Sequence, residues 1–219
     1  MPGGESTVIS LVASSTPGLL EGLKAFVQDP EKAVWGTCAG MILMSDTDWG
    51  IGGGKIRKVD GGSLGGWGGI KGLRVWRNLY GGEFVYLSRL EPSSTWSCSR
   101  TNDLALDETD SIAQLESFEA PIHIPQLSNP SQPFNTIFIR APAVHSLAEA
   151  GEVEVLATLP EEYQPALAPS DSPLGEPRAE DLGKVMVKKG RKLVTSFHPE
   201  LSGDNRIHEY WIEKCLLGR

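Results

Sequence analysis

A short apolar run at residues 33–35 leads directly into a glycine-flanked turn at residues 36–40, which reads Gly-Thr-Cys-Ala-Gly. A helical stretch at residues 39–45 follows at once. A strand, a sharp turn and a helix in immediate succession are typical of a nucleophile elbow, which presents one reactive side chain at the end of a buried strand. Open α/β sheets place their sites at such strand ends. The sequence therefore predicts an α/β fold with Cys38 at its site.

Helical and strand patterns alternate along the chain, as expected for an α/β fold. Helical spacing covers residues 8–13, 18–27 and 204–217. Apolar runs typical of strands cover residues 73–76, 136–139 and 153–158, and regular patterning resumes at residues 116–120 after a polar stretch. Residues 184–197 read as a hairpin that turns near Lys189 and Gly190. A hairpin beside crossover helices indicates a mixed sheet. Asp204 is the predicted cap of the last helix.

The 219 residues suit one domain, spanning residues 1–219. Three stretches lack a sustained period and are predicted to be loop insertions. One is glycine-rich, near residues 47–69; one is polar, near residues 82–113; and one is rich in proline and acidic residues, near residues 159–183.

Charge and composition exclude several classes of function. The net charge is -8 and the isoelectric point is near 5.1, without a basic stripe, so we expect no nucleic-acid binding. No apolar run approaches the roughly 18 residues of a membrane span, and no signal peptide opens the sequence. The three cysteines are too scattered for a disulfide framework or a zinc site. We therefore expect a cytoplasmic protein without a metal or cofactor.

A second motif, Ser-Phe-His-Pro-Glu at residues 196–200, follows the predicted hairpin. With Cys38 it supplies the parts of a nucleophilic triad, in which the thiol attacks, His198 moves the proton and Glu200 orients the imidazole. A free cysteine is more often a small buried apolar residue. Here the flanking glycines, the following helix N-terminus and the His-x-Glu downstream favour a catalytic role instead. The helix dipole and a nearby imidazolium would both favour the thiolate.

Other polar residues admit two interpretations. The turn at residues 3–5 (Gly-Gly-Glu) is by itself an ordinary turn, but beside a nucleophile its N–H groups can face an oxyanion. Arg77 and Arg140 are either surface arginines or ligands for a carboxylate. The remaining histidines are predicted to lie at the surface: His123, His145 and His208.

These segments resemble class I glutamine amidotransferases and, more narrowly, the glutaminase subunits of pyridoxal 5'-phosphate synthase. The matching stretches are residues 2–7 (Pro-Gly-Gly-Glu-Ser-Thr), 36–40, 77–78 (Arg-Asn), 138–142 (Phe-Ile-Arg-Ala-Pro) and 196–201. The cysteine and His-Pro-Glu motifs indicate only the wider superfamily. The other three stretches point to the vitamin B6 branch.

The resemblance implies a three-layer, flavodoxin-like sheet and hydrolysis of L-glutamine to glutamate and ammonia through a thioester on Cys38. His198 would act as base and then as acid, and Glu200 would orient it. The family's glutamine-binding positions match Gly3, Gly4, Glu5, Arg77, Ile139 and Arg140, and its oxyanion donors match the backbone N–H groups of Gly4 and Ala39. The ammonia would pass to a (β/α)-barrel synthase subunit that builds pyridoxal 5'-phosphate.

Two departures from the family accompany the resemblance. The family's chain begins with a strand, a Leu-Gln-Gly loop, a helix and a second strand, so this sequence is expected to be N-terminally truncated. Residues 82–113 interrupt the family's Arg-Asn-x-Phe-Gly-Arg-Gln pattern. The first departure suggests a misassigned start, and the second suggests a retained intron. Two alternatives stay open: an amidotransferase domain of another pathway, and a catalytically impaired relative that binds or regulates a partner.

Overall fold

A computed structural model describes residues 1–46, 66–80, 86–88, 97–99, 117–147, 153–164 and 178–219. The predicted loop insertions near residues 47–69 and 82–113 lie largely outside these ranges, as does much of the stretch near 159–183. Within the described residues, no helix is long and apolar enough to cross a bilayer.

The described residues contain both helices and strands. The helices are α1 (Ser6–Ser15), α2 (Leu19–Gln28), α3 (Ala39–Met44), α4 (Ala179–Leu182) and α5 (Arg206–Tyr210), which continues as a π-helix over Trp211–Leu216. The strands are β1 (Val34–Thr37), β2 (Arg74–Tyr80), β3 (Tyr86–Ser88), β4 (Ser97–Ser99), β5 (Ser117–Ile122), β6 (Phe134–Ile139), β7 (Ala141–Ser146), β8 (Glu154–Thr158), β9 (Lys184–Lys189) and β10 (Lys192–Thr195). Short 3₁₀ turns occupy Glu161–Tyr163 and Pro199–Leu201. Within the described residues, strands β2 to β8 follow one another without an α-helix between them, so the predicted alternation is only partial.

The largest described sheet has the strand order β1-β10-β9-β8. Strand β1 runs parallel to β10, with Val34 opposite Lys192 and Thr37 opposite Thr195. Strand β9 is antiparallel to both of its neighbours. The hairpin between β9 and β10 turns at Gly190, whose φ of 55° favours glycine. The prediction of a mixed sheet is therefore confirmed.

Strand β10 separates two apolar clusters. Successive side chains of a strand point to opposite faces of the sheet. Accordingly, Leu193 packs with Phe138 and Phe197 on one face, whereas Val194 packs with the α3 side chains on the other. All six residues of α3 are buried. The result is a layer on each side of the sheet, and the α/β class predicted from sequence is confirmed.

A buried lysine joins β10 to the connection between α2 and β1. Lys192 is almost fully buried, and its Nζ donates to the carbonyl oxygens of Asp29 and Lys32 at 2.7 and 2.6 Å. Burial lowers the pKa of Lys192, and the nearby Asp29 opposes that shift. The two carbonyl contacts hold the start of β1 against the start of β10.

The first residue adds a further pairing to the outer edge of β1. The Met1 ammonium donates to the Trp35 carbonyl at 2.7 Å, and the Thr37 N–H donates to the Met1 carbonyl at 3.0 Å. This alternation is the hydrogen-bond pattern of a parallel pair. The turn that follows Met1 is therefore held at the carboxyl end of β1.

Strand β7 and the burial of His145 differ from expectation. The sequence context of His145 is loop-like, but residues 141–146 form β7, which pairs with β2, with Val144 opposite Val75. His145 was predicted to lie at the surface and is 3% exposed. That prediction is wrong because β7 contacts β2, β9 and α4. The backbone N–H of Arg178, just before α4, donates to the His145 carbonyl at 3.1 Å.

The other two histidines, His123 and His208, differ in burial. His123 is exposed, as predicted. His208 is half-buried, and its ring meets the indole of Trp35 edge to face at 4.9 Å between centroids. The last helix begins two residues later than predicted, at Arg206, although Asp204 Oδ1 still accepts the Arg206 backbone N–H at 3.0 Å.

Helix α4 ties the end of the 159–183 stretch to the core. The Asp181 side chain is buried and accepts the Leu147 N–H at 2.9 Å. It also forms an ion pair with Lys184 at the start of β9. A buried carboxylate is tolerated here because it has both a backbone donor and a cation.

The buried aromatic side chains of the core are expected to contribute more to the free energy of unfolding than exposed ones. Phe138 is fully buried and stacks on Phe118, with ring centroids 4.5 Å apart, whereas Phe26 on α2 is half-exposed. We expect Phe138→Ala to lower the free energy of unfolding by about 3–5 kcal/mol through cavity formation. The matched variant Phe26→Ala should cost less than about 1 kcal/mol. Urea unfolding of both variants checks this, and equal losses would contradict the assignment of the core.

Candidate active site

The turn after β1 holds Cys38 in a strained backbone conformation. Its φ and ψ are 50° and -109°, a region that side-chain-bearing residues rarely adopt. Its N–H donates to the Thr195 carbonyl at 2.8 Å, which fixes the turn to the end of β10. The predicted strand, sharp turn and helix are all present, so the nucleophile elbow is formed.

Close backbone contacts explain the two glycines that flank Cys38. A Cβ at Gly36 would lie 2.5 Å from the Gly40 carbonyl oxygen, and a Cβ at Gly40 would lie 2.3 Å from the Met1 carbonyl oxygen. Neither contact can be relieved by rotating a side chain, since the opposing atoms belong to the backbone. The small-residue pattern is therefore required by the tightness of the turn.

The Cys38 thiol lies just below the surface, at the N-terminus of α3. The residue is 7% exposed, and its Sγ is 3.9 Å from the Ile139 carbonyl oxygen. Ile139 ends β6, and Arg140 then turns the chain into β7 with a φ of 42°. The corner between β6 and β7 thus lies beside the thiol.

His198 follows β10, at the strand end adjacent to that of β1. Its N–H donates to the Ile137 carbonyl at 2.8 Å, and Pro199 then begins a 3₁₀ turn. That turn brings Glu200 back to the ring, with Glu200 Oε1 2.8 Å from His198 Nδ1. The His198 side chain is 12% exposed and that of Glu200 is 45% exposed. A carboxylate at Nδ1 favours the tautomer with its proton on Nδ1, and this leaves Nε2 able to accept a proton.

The imidazole also contacts Cys38, and this contact dominates its titration. A hydrogen bond with the Cys38 side chain raises the pKa of His198 to about 9, against the lowering effect of burial. The hydrogen bond and charge of Glu200 add to the increase. At neutral pH the ring therefore favours the imidazolium form, which is the partner that a thiolate requires.

The Gly-Gly-Glu turn packs directly on the imidazole. A Cβ at Gly3 would lie 2.3 Å from Cε1 of His198, so a side chain there must displace the ring. Gly4 has a φ of 131°, which favours glycine, and Glu5 is exposed just before α1 begins. The three residues thus lie at the rim of the Cys38 site.

The predicted site residues are placed as follows. The structure brings together Cys38, His198, Glu200, Gly3 and Ile139 through the contacts described above. Ala39 is the first residue of α3, immediately after the thiol. Arg140 is exposed at the β6–β7 corner. Arg77 lies on β2, between the pairs that Trp76 and Tyr80 make with β7, and its side chain lies outside the described part of the structure.

Two residues that position the site could not be predicted from their residue types. The carbonyl groups of Thr195 and Ile137 hold the N–H groups of Cys38 and His198, and any residue type supplies a carbonyl. In the described ranges, no group of three or more histidine, cysteine or acidic side chains is arranged to hold a metal ion.

Comparison with known proteins agrees with this geometry. The model of the SNO glutamine amidotransferase family matches residues 1–59 and 110–217. The pyridoxal 5'-phosphate synthase subunit PdxT of Pelotomaculum thermopropionicum is 32% identical, over 99% of this chain and 74% of that protein. The probable subunit PDX2 of Arabidopsis thaliana is 34% identical, over 97% of this chain and 69% of that protein.

A fungal protein and a solved structure extend the similarity. An uncharacterized glutaminase of Schizosaccharomyces pombe is 30% identical, over 99% of this chain and 70% of that protein. A crystal structure of a glutamine amidotransferase superposes with a TM-score of 0.56 at 29% identity, covering 97% of this chain and 75% of that chain.

The contact between Gly3 and His198 predicts the effect of one methyl group. We expect Gly3→Ala to push the imidazole away from Cys38, so that the pKa of His198 falls from about 9 toward its ordinary value of 6.5. Titration of the His198 ring by NMR measures this. Gly22→Ala is the matched control, because a Cβ at Gly22 meets nothing within 4 Å. An unchanged titration in Gly3→Ala would show that the turn does not pack on the ring.

The raised pKa of His198 also predicts a pH-dependent stability. The folded protein holds the imidazolium proton more tightly than the unfolded chain, so this stabilisation is complete below about pH 6.5 and is lost as the pH rises through about 9. The difference in unfolding free energy between the native chain and His198→Gln should therefore shrink across that window. Urea unfolding at a series of pH values checks it, and a difference independent of pH would contradict the contact with Cys38.

Proposed function

This chain belongs to the SNO glutamine amidotransferase family, and we propose that it hydrolyses the side-chain amide of L-glutamine to glutamate and ammonia. The observation that carries the proposal is the continuous contact from Cys38 through His198 to Glu200. A buried thiol, an imidazolium and an orienting carboxylate are the groups required for nucleophilic attack on an amide.

The proposed reaction has two halves. His198 first takes the proton of the Cys38 thiol. The resulting thiolate attacks the amide carbon, and His198 then gives that proton to the departing nitrogen, so that ammonia leaves and a thioester forms. His198, now neutral, takes a proton from water as the water attacks the thioester carbonyl. Glutamate leaves with the new carboxyl oxygen, and the Cys38 thiolate and the His198 imidazolium are restored. Glu200 keeps Nδ1 protonated, so that Nε2 carries the moving proton throughout.

The negative oxygen of each tetrahedral intermediate requires donors, and we assign these to the backbone N–H groups of Gly4 and Ala39. The Cys38 N–H is already used by the Thr195 carbonyl. The N–H of Ala39 is the next in the chain and belongs to the first turn of α3, where N–H groups have no partner within the helix. Donors fixed before the reaction stabilise the developing charge most effectively.

The rest of the substrate is bound, in this proposal, at the rim that Gly3, Gly4, Glu5 and Ile139 form. Bound glutamine carries an α-carboxylate and an α-ammonium group. We assign the carboxylate to the guanidinium groups of Arg77 and Arg140, since paired N–H donors match its geometry. The Glu5 carboxylate is the acidic group at this rim that complements the ammonium.

The ammonia is consumed, we propose, by a pyridoxal 5'-phosphate synthase subunit with a (β/α)-barrel fold, in the cytoplasm. The support is that the bacterial and plant relatives are themselves named as subunits of that synthase. Ammonia that is released into water at pH 7 is protonated to ammonium and diffuses away. Direct transfer to a docked partner avoids that loss.

The proposed nucleophile gives a direct test. We expect Cys38→Ala to abolish ammonia release from L-glutamine, with a loss of at least about 10³-fold, because thioester formation has no substitute. Cys215→Ala is the matched control: it removes a second buried cysteine, on the C-terminal π-helix, and should leave the rate unchanged. Ammonia is measured in a coupled assay with and without the synthase subunit.

The same assay separates the alternatives. Ammonia release that is stimulated by the synthase subunit supports the proposed pathway. Release that is insensitive to the synthase indicates an amidotransferase of another pathway. Absence of ammonia from the folded native chain, with and without the synthase, overturns the proposal in favour of an impaired relative.

A further inference from the structure

We infer that Thr195 is a positioning residue that holds the nucleophile and the proton carrier in register through three separate contacts. It is fully buried at the end of β10, opposite Thr37 of β1. It lies one residue before the Ser-Phe-His-Pro-Glu motif. The inference rests on the proposed function and adds a residue to it.

The first contact is to the nucleophile. The Thr195 carbonyl accepts the N–H of Cys38 at 2.8 Å. This bond lies beyond the last β1–β10 register pair, Thr37 opposite Thr195, and extends the strand pairing into the elbow. The strained conformation of Cys38 is thereby held by a bond to the neighbouring strand.

The second contact is to the peptide unit that carries His198. The Thr195 hydroxyl donates to the Phe197 carbonyl at 3.2 Å. That carbonyl and the His198 N–H belong to the same planar peptide group. Because the N–H donates to Ile137 at 2.8 Å, the plane is held from both sides, by β10 on one and by β6 on the other. The Cα of His198 is attached directly to this plane.

The third contact fixes the direction of the hydroxyl proton. Trp35 Nε1 lies 3.4 Å from Thr195 Oγ1 and can only donate to it. The oxygen therefore accepts from the indole, and its own hydrogen is directed to the Phe197 carbonyl. A valine at this position has the same shape but lacks both contacts.

Thr195→Val therefore tests the hydroxyl without emptying its space. We expect the Cys38–His198 contact to loosen, so that the alkylation rate of Cys38 by iodoacetamide at pH 7 falls about fivefold. That factor corresponds to the loss of one of the two hydroxyl contacts, the hydrogen bond to the Phe197 carbonyl that holds the His198 peptide unit. The pKa of His198, followed by NMR, should move down from about 9. With the synthase subunit present, kcat for ammonia release should fall while KM is retained. Thr195→Ser, which keeps the hydroxyl, should restore all three.

Thr136→Val is the matched control for a merely structural effect. Thr136 is also fully buried, and its hydroxyl donates to the Ala120 carbonyl at 2.6 Å, away from Cys38. It should lower stability without changing the alkylation rate or the His198 titration. Should Thr195→Val fail to fold, Thr195→Ala, which occupies less space, carries the same comparison.

The outcomes separate this inference from the function on which it rests. If iodoacetamide does not alkylate Cys38 in the native chain, and the pKa of His198 there is not raised, the proposed function itself is contradicted. A reactive native chain whose Thr195→Val variant alkylates and titrates unchanged overturns the role of Thr195 alone. Equal changes in Thr136→Val would also overturn it, because the effect would then follow from lost stability.

Discussion

The parallel pairing of β1 with β10 is the constraint on which the site depends. The two strands are about 160 residues apart in the sequence. Cys38 directly follows β1, whereas His198 follows β10 after Ser196 and Phe197. With Thr37 opposite Thr195, the chain leaves one strand at Cys38 and the other toward His198. A register shift of one residue would invert the alternation of Leu193 and Val194 between the two apolar clusters. The packing of the core therefore also fixes the distance between the reactive groups.

Electrostatics reinforces this arrangement at the surface of the molecule. The ion pair between Glu200 and His198 is half-open to water, and pairs of that kind contribute little to stability. Its contribution is to hold the imidazole through Nδ1, which orients the ring that also contacts Cys38. The deeper contact, between imidazole and thiol, produces the larger effect on the pKa of His198. Orientation and charge are thus supplied by different partners of one ring.

Much of the candidate site could be predicted from the sequence, because close backbone packing and short turns require particular residue types at fixed spacings. The glycines around Cys38 are required by backbone contacts, and the His-x-Glu spacing matches one 3₁₀ turn. Strand β7 could not be predicted in this way, since Pro142 and small residues read as a loop and its pairing with β2 is a long-range contact. The burial of His145 was missed for the same reason. Carbonyl partners such as those at Thr195 and Ile137 are invisible to residue-type patterns, because every residue has a carbonyl.

The bond from the His198 amide to the Ile137 carbonyl has a consequence for dynamics. That hydrogen lies between β6 and the turn that carries His198 and Glu200, so solvent reaches it only when the two separate. Its rate of exchange with deuterium therefore counts the openings of the site itself, apart from global unfolding. A single backbone amide would therefore report how often the imidazole moves away from Cys38, and how far added L-glutamine suppresses that opening.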